Sequence, residues 1–265
     1  MPKLISKRVN LAIKKLQKIL LPNVLHRPNF PQQYNELTAL KCTVAYNHYG
    51  GYCVPNSSKH RPAAKKILSN DIYEPETIEF MISSCGDGDI IHAGSYFGDF
   101  LPALSTGLGA QQKVWAFEPN PENYRCARIT IELNNLKNVV LTNAGLGAKR
   151  GNLLMQIADS SGQALGGASR LIDKEEGLEN PCEIDFLHST DIVTIDEIVD
   201  PDRNVSIIQL DVEGYEKEAL AGALKTIRRH LPIIILEVLP SSTLLSSDFF
   251  SEKILSIGYR NQKYI

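Results

Sequence analysis

The sequence has no uninterrupted apolar run of about 18 residues, so no membrane-spanning helix is expected. It also lacks an apolar stretch behind its basic start, which argues against a secretory signal. Its five cysteines (Cys42, Cys53, Cys85, Cys126, Cys182) are an odd number, widely spread, with no C-x-x-C pair. A disulfide framework and a zinc site are therefore not expected, and a reducing, cytoplasmic setting is. There is no excess of positive charge: the net charge is −2, and proteins that must hold phosphate backbones carry a basic surplus, so nucleic acid is not expected as a partner. No segment repeats.

What is present suits a globular chain with a full core, at 43% hydrophobic and 22% charged residues in 265. Charge is unevenly placed. Residues 1–35 hold seven of the 28 lysines and arginines and no acid, which leaves 21 bases against 30 acids, a net of −9, over the rest. Within that start, Leu4, Ile5, Val9, Ile13, Leu16 and Leu20 recur at helical spacing among lysines, so residues 3–21 predict a basic amphipathic helix. Such a helix either packs on its own protein or a partner subunit, or lies on an anionic membrane surface. Prolines 22, 28 and 31 end it, residues 32–60 show no clean period, and helices are expected at 61–70 and 75–85. Residues 1–85 thus read as a mainly helical N-terminal extension.

From Gly86 the character changes. Short apolar runs at Asp89–Ala93, Val114–Phe117, Asn138–Thr142, Ser206–Leu210 and Ile233–Val238 alternate with helical stretches at 98–107, 121–134, 215–230 and 246–257. Strand–helix alternation implies parallel pairing, hence an α/β fold with a doubly wound, mostly parallel sheet over residues 86–265. The connection at 159–190, with four glycines and the acidic cluster Asp173 to Glu176, is too long for a simple loop and reads as a lid-like insertion.

Two features point to a nucleotide-like ligand. Gly94-Ser95-Tyr96-Phe97-Gly98 follows the first of these strands and opens a helix; glycine permits close backbone approach, and the helix start offers free N–H groups. Twenty residues after Gly98, Glu118 ends the second strand, where a carboxylate can accept both hydroxyls of a ribose.

Phe117-Glu118-Pro119-Asn120-Pro121, then Asp211-Val212-Glu213-Gly214-Tyr215-Glu216, then Ile233 to Val238 with Glu237, and the late Ile257-Gly258-Tyr259, resemble the FkbM-type methyltransferases over about residues 86–260. The resemblance implies a Rossmann-like class I methyltransferase sheet, S-adenosyl-L-methionine as cofactor, and O-methylation of a hydroxyl on a sugar, glycan or secondary metabolite. It implies His92, Gly94, Ser95, Tyr96, Gly98, Glu118, Asn143 and Asp211 as cofactor residues. Asp211 and Glu213 would act on the acceptor, and no dedicated metal string stands out. The first motif departs from the family's D-V-G-A-N-x-G: His92 stands for the acid and Tyr96 for the amide. The family's sheet normally adds a last strand hairpin beyond Ile265. Two rivals stay open. An NAD-dependent oxidoreductase shares the glycine loop and the strand-end acid but prefers G-x-G-x-x-G. A catalytically inactive relative would keep the fold as a binding module. The acceptor and the oligomeric state are not legible.

Overall fold

A computed structural model describes residues 39–172 and 186–262. The helix expected at 3–21, the acidic cluster at 173–176 and Cys182 lie outside these residues. Five parallel strands form the central sheet: β3 (Asp89–Ala93), β4 (Val114–Phe117), β5 (Val139–Thr142), β10 (Val205–Leu210) and β11 (Ile233–Leu236), in the order β11-β10-β3-β4-β5. The chain runs outward from β3 through β4 to β5, then returns to the other side of β3 with β10 and β11. The reversal falls between β3 and β10, and in such sheets ligands bind in the crevice beyond the strand ends at that point.

Burial on both faces explains why these strands are short apolar runs without alternation. Ile91, Ala93, Trp115, Ile208 and Leu210 join one core, and Ile90, Val114, Ala116 and Ile207 the other. Helices α2 (Pro75–Ser84), α3 (Leu101–Gly107) and α4 (Pro121–Leu133) link or flank the early strands. Proline opens both α2 and α4, where its missing N–H costs nothing. Asn120 caps α4 by accepting from the N–H groups of Glu122 and Asn123.

The structure adds to the sequence reading in two places and corrects it in a third. In the described part of the N-terminal extension α1 (Pro62–Leu68) and α2 stand where helices are expected, and an antiparallel hairpin, β1 (Cys42–Asn47) and β2 (Gly50–Pro55), is added in the stretch read as aperiodic. Nearly all of β2 is buried, so the hairpin leaves no period-2 signature. Second, the segment around the expected lid contributes to a four-stranded sheet, β6-β9-β7-β8 (β6 Gly145–Leu146, β7 Gly151–Gln156, β8 Arg170–Ile172, β9 Leu187–Val193). Third, the helix expected at 215–230 is two, α6 (Glu216–Ala221) and α7 (Leu224–His230). They part at Gly222, where a Cβ would sit 2.1 Å from the Gly147 carbonyl oxygen. Short helices α5 (Ile195–Ile198) and α8 (Asp248–Lys253) complete the fold, α8 being all that is α-helical in the expected 246–257 span. Among the described residues no helix is long and apolar enough to cross a membrane.

Candidate cofactor and acceptor site

The site grows from the carboxyl ends of β3, β4 and β10. Beyond Ala93 the chain turns through Gly94 with φ +83°, and a Cβ there would lie 1.9 Å from the Asp211 carbonyl oxygen. Asp211 N–H donates to the Ala93 carbonyl at 3.1 Å. Gly94 is thus required because two protein strands converge, a reason the sequence reading, which looked to a ligand, did not anticipate.

At the end of β4, Glu118 is 4% exposed and its carboxyl is held on both oxygens. Tyr96 N–H donates to Oε2 at 2.8 Å; Asn120 N–H donates to Oε1 at 2.8 Å, with the Asn123 amide 3.4 Å from the same oxygen. These donors are neutral and favour the ionised form, yet burial outweighs them and pushes Glu118 up to about 8. Asp211, at the end of β10, is raised further, to about 9, by burial and by the carboxylates of Glu237 and Glu213. Leu210 and Leu236 are register partners, and Glu237 N–H donates to the Leu210 carbonyl at 3.0 Å. Asp211 and Glu237 are therefore in-register neighbours, whose side chains leave a parallel sheet on the same face. Burial also raises Glu213, which turns the chain at φ 52°.

Between these groups lies a cleft lined by Gly94, Glu118, Gly166, Gly167, Ser169 and Asp211, among others. One wall is the turn at Gly166–Ala168 in the segment read as a lid. It is bolted to α4: Asn123 Nδ2 donates to the Gly166 carbonyl at 3.1 Å, and Asn120 Nδ2 to Ser169 Oγ at 3.0 Å.

Of the eight residues expected at the cofactor, Gly94, Glu118 and Asp211 line this cleft and the others do not. His92 alternates with Ile91 and Ala93 along β3, so it faces the opposite core. There it stacks on Phe100 with ring centroids 5.2 Å apart, and its Nδ1 lies 2.5 Å from Gln209 Oε1. Burial lowers it to about 4, so it is neutral. Ser95 Oγ donates to the Phe117 carbonyl at 3.2 Å. Gly98, at φ +83°, donates its N–H to the Ser95 carbonyl at 2.7 Å and turns the chain into α3. Asn143 Nδ2 donates to the Glu118 carbonyl at 2.8 Å and braces that strand end. Tyr96 contributes its N–H to Glu118, while its ring points to the N-terminal hairpin.

Sequence reasoning passed over Asn123, Ser169 and Asp99. Asn123 lies one helical turn past the cap Asn120, which was a usable signal. Asp99, directly after Gly98, is buried and pushed up to about 7 by that burial, with Glu74 adding to it. Nothing in its local sequence announced this. Among the described residues no group of three or more His, Cys, Asp or Glu side chains is arranged to hold a metal ion.

A crevice at a topological switch point, walled by a glycine turn, a strand-end acid and further carboxylates, is suited to a ribose-bearing ligand that carries positive charge. The methyltransferase FkbM domain matches residues 92–250, more than half of the chain. The chain belongs to the FkbM methyltransferase family. Its cofactor is accordingly S-adenosylmethionine. The buried acid beside a cleft bordered by glycines fits an adenosine, and the carboxylates around Asp211 fit the sulfonium and ammonium charges.

Similar solved structures include an FkbM methyltransferase from Methylobacillus flagellatus KT, 22% identical, with 64% of this chain and 37% of that one covered and a TM-score of 0.44. An S-adenosylmethionine-dependent O-methyltransferase from Thermotoga maritima is 14% identical over 81% of this chain and 62% of that one, with a TM-score of 0.38. A methyltransferase from Aquifex aeolicus is 16% identical over 70% and 75%, with a TM-score of 0.34. This chain thus spans only 37% of the length of the first of these solved chains. No curated protein sequence matches.

Proposed function

We propose that the protein methylates a hydroxyl oxygen on a sugar, glycan or small secondary metabolite. The observation that carries this reading is the pairing of two carboxyls across one cleft, the buried Glu118 at the end of β4 and the half-buried Asp211 at the end of β10, each poised differently. Glu118 would accept the ribose hydroxyls, with its orientation held by Tyr96, Asn120 and Asn123. Gly166, Gly167 and Ser169 would cover the adenosine and exclude water. Bound there, S-adenosylmethionine supplies a methyl group on a sulfonium already activated for displacement.

Alignment and exclusion of water then supply much of the acceleration. Asp211 and Glu213 would position the acceptor hydroxyl. Burial and the neighbouring carboxylates make the ionised Asp211 a stronger proton acceptor than an ordinary aspartate, so it would take the hydroxyl proton at a carboxylate oxygen. Glu237, adjacent in register, would share that proton.

Isothermal titration with S-adenosylhomocysteine and, in parallel, NAD tests the reading. S-adenosylhomocysteine should bind and NAD should not. Binding of NAD alone would turn the site into that of a dehydrogenase, and binding of neither would leave a module that keeps only the fold. Methyl transfer to a panel of sugars and polyols then tests the acceptor, and full turnover in Asp211→Asn would remove the base.

A further inference from the structure

We infer that Ser58, in the N-terminal hairpin unit, is a positioning residue of the cofactor site, acting through Tyr96 on Glu118. The inference rests on the reading of Glu118 as the ribose ligand. Ser58 closes a short turn, Asn56–Ser58, directly after β2 and is fully buried. Residues 39–58 precede residues 92–250, which the family domain matches. The turn is held on α4, where Ser57 Oγ donates to Glu122 Oε2 at 2.6 Å, and β2 is held there too, where Cys53 N–H donates to Thr130 Oγ1 at 3.0 Å.

From this base Ser58 Oγ accepts the Tyr96 hydroxyl at 2.6 Å. Tyr96 sits at φ 47°, a left-handed conformation that a residue with a Cβ adopts only when its surroundings hold it. The hydrogen bond is what holds the ring, and the strained backbone is what aims the Tyr96 N–H at Glu118 Oε2, 2.8 Å away. Gly166 closes the block: a Cβ there would meet Ser58 Cβ at 2.7 Å and the Tyr96 hydroxyl at 2.8 Å. Hairpin, cofactor loop and covering turn therefore fit together through one buried phenol.

Loss of the Ser58 hydroxyl would leave the buried phenol only the Ser58 carbonyl, 3.4 Å away, as acceptor and loosen the ring in its pocket. The left-handed turn would relax, and Glu118 would lose one of the N–H donors that favour its ionised form. The charged group facing Glu118 from the Tyr96 loop is Asp99; α4 brings only the amides of Asn120 and Asn123, and the covering turn brings Ser169 and backbone. Arg61 faces the Tyr96 phenol, and burial keeps that phenol protonated.

The test is calorimetric titration of the full chain with S-adenosylhomocysteine from pH 6 to 9, for wild type, Ser58→Ala, Tyr96→Phe, the double variant and Glu118→Gln, with a thermal melt of each. Ser58→Ala and Tyr96→Phe should each weaken binding about fivefold to tenfold. Both should move the pH midpoint of binding upward, because an acid with fewer donors ionises later. The double variant should be no worse than either single one, since both remove the same bond. Unchanged affinity and midpoint in Ser58→Ala, beside a Glu118→Gln that no longer binds, would overturn the positioning role. So would a lowered melting temperature with an unmoved midpoint, which marks a purely structural bond. Normal binding by Glu118→Gln would instead defeat the ribose reading and take the inference with it.

Discussion

The two ends of the central sheet treat their carboxyls in opposite ways. At the amino end, Asp89 is 1% exposed and fully paired: it accepts from Lys113 N–H at 2.8 Å and Trp115 Nε1 at 2.8 Å, and Arg203 grips both oxygens. At the carboxyl end, Glu118 meets only neutral donors, and Asp211 lies beside Glu237 and Glu213 rather than beside a cation. A buried charge is tolerated when paired and expensive when not. One end of the sheet is finished by its own chain. The other holds carboxyls at raised pKa, the condition of a site that a ligand completes.

The largest expected effect separates the ends outright. Glu118→Ala should weaken S-adenosylhomocysteine binding roughly 100-fold, as expected for two hydrogen bonds to a charged group, while Asp89→Asn keeps it within about threefold. Titration calorimetry decides; equal losses in both variants would erase the distinction. Conversely, Asp89→Asn should strand Arg203 and cost about 3 kcal/mol of unfolding free energy by denaturant titration. Gly94→Ala sharpens the geometry at the switch point: its Cβ would displace the Asp211 carbonyl, so soluble variant protein should lose cofactor binding together with several degrees of melting temperature.

Next in size is pH. Glu118 near 8, Asp211 near 9 and Asp99 near 7 all stand above their unfolded values. Groups so raised bind protons more tightly when folded, so their contribution is full below about pH 4 and is lost as pH rises through 7 to 9. The unliganded protein should melt roughly 5 °C lower at pH 9 than at pH 6, and Asp211→Asn should flatten that slope. The smallest effect is expected for Asn143→Ala. It removes a brace on the Glu118 carbonyl outside the cleft, so affinity should fall less than about threefold by the same calorimetry.

Much of this was readable in one dimension, for local reasons. The five core strands are short apolar runs because both faces are buried, and the helix starts at Pro75 and Pro121 are set by backbone chemistry within a few residues. Glu118 and Asp211 were legible because a strand-end acid needs only its strand to be located. His92 was not: whether it faced the cleft or Phe100 depended on the phase of the pleat, and its place in the family's motif suggested the cleft. The hairpin at 42–55 was hidden because β2 is buried along nearly its whole length while β1 is mostly part-exposed, so neither strand alternates cleanly.

By itself, then, the sequence determined the α/β pattern, the family, and the two acids at the ends of β4 and β10, since each depends on residues near one another in the chain. The tertiary structure alone decided that Gly94 is needed for the Asp211 carbonyl, that Tyr96 leans on Ser58, and that the turn at Gly166 covers Glu118. Those contacts join residues 38 to 117 positions apart, and a long-range contact leaves no period or spacing in the chain that makes it.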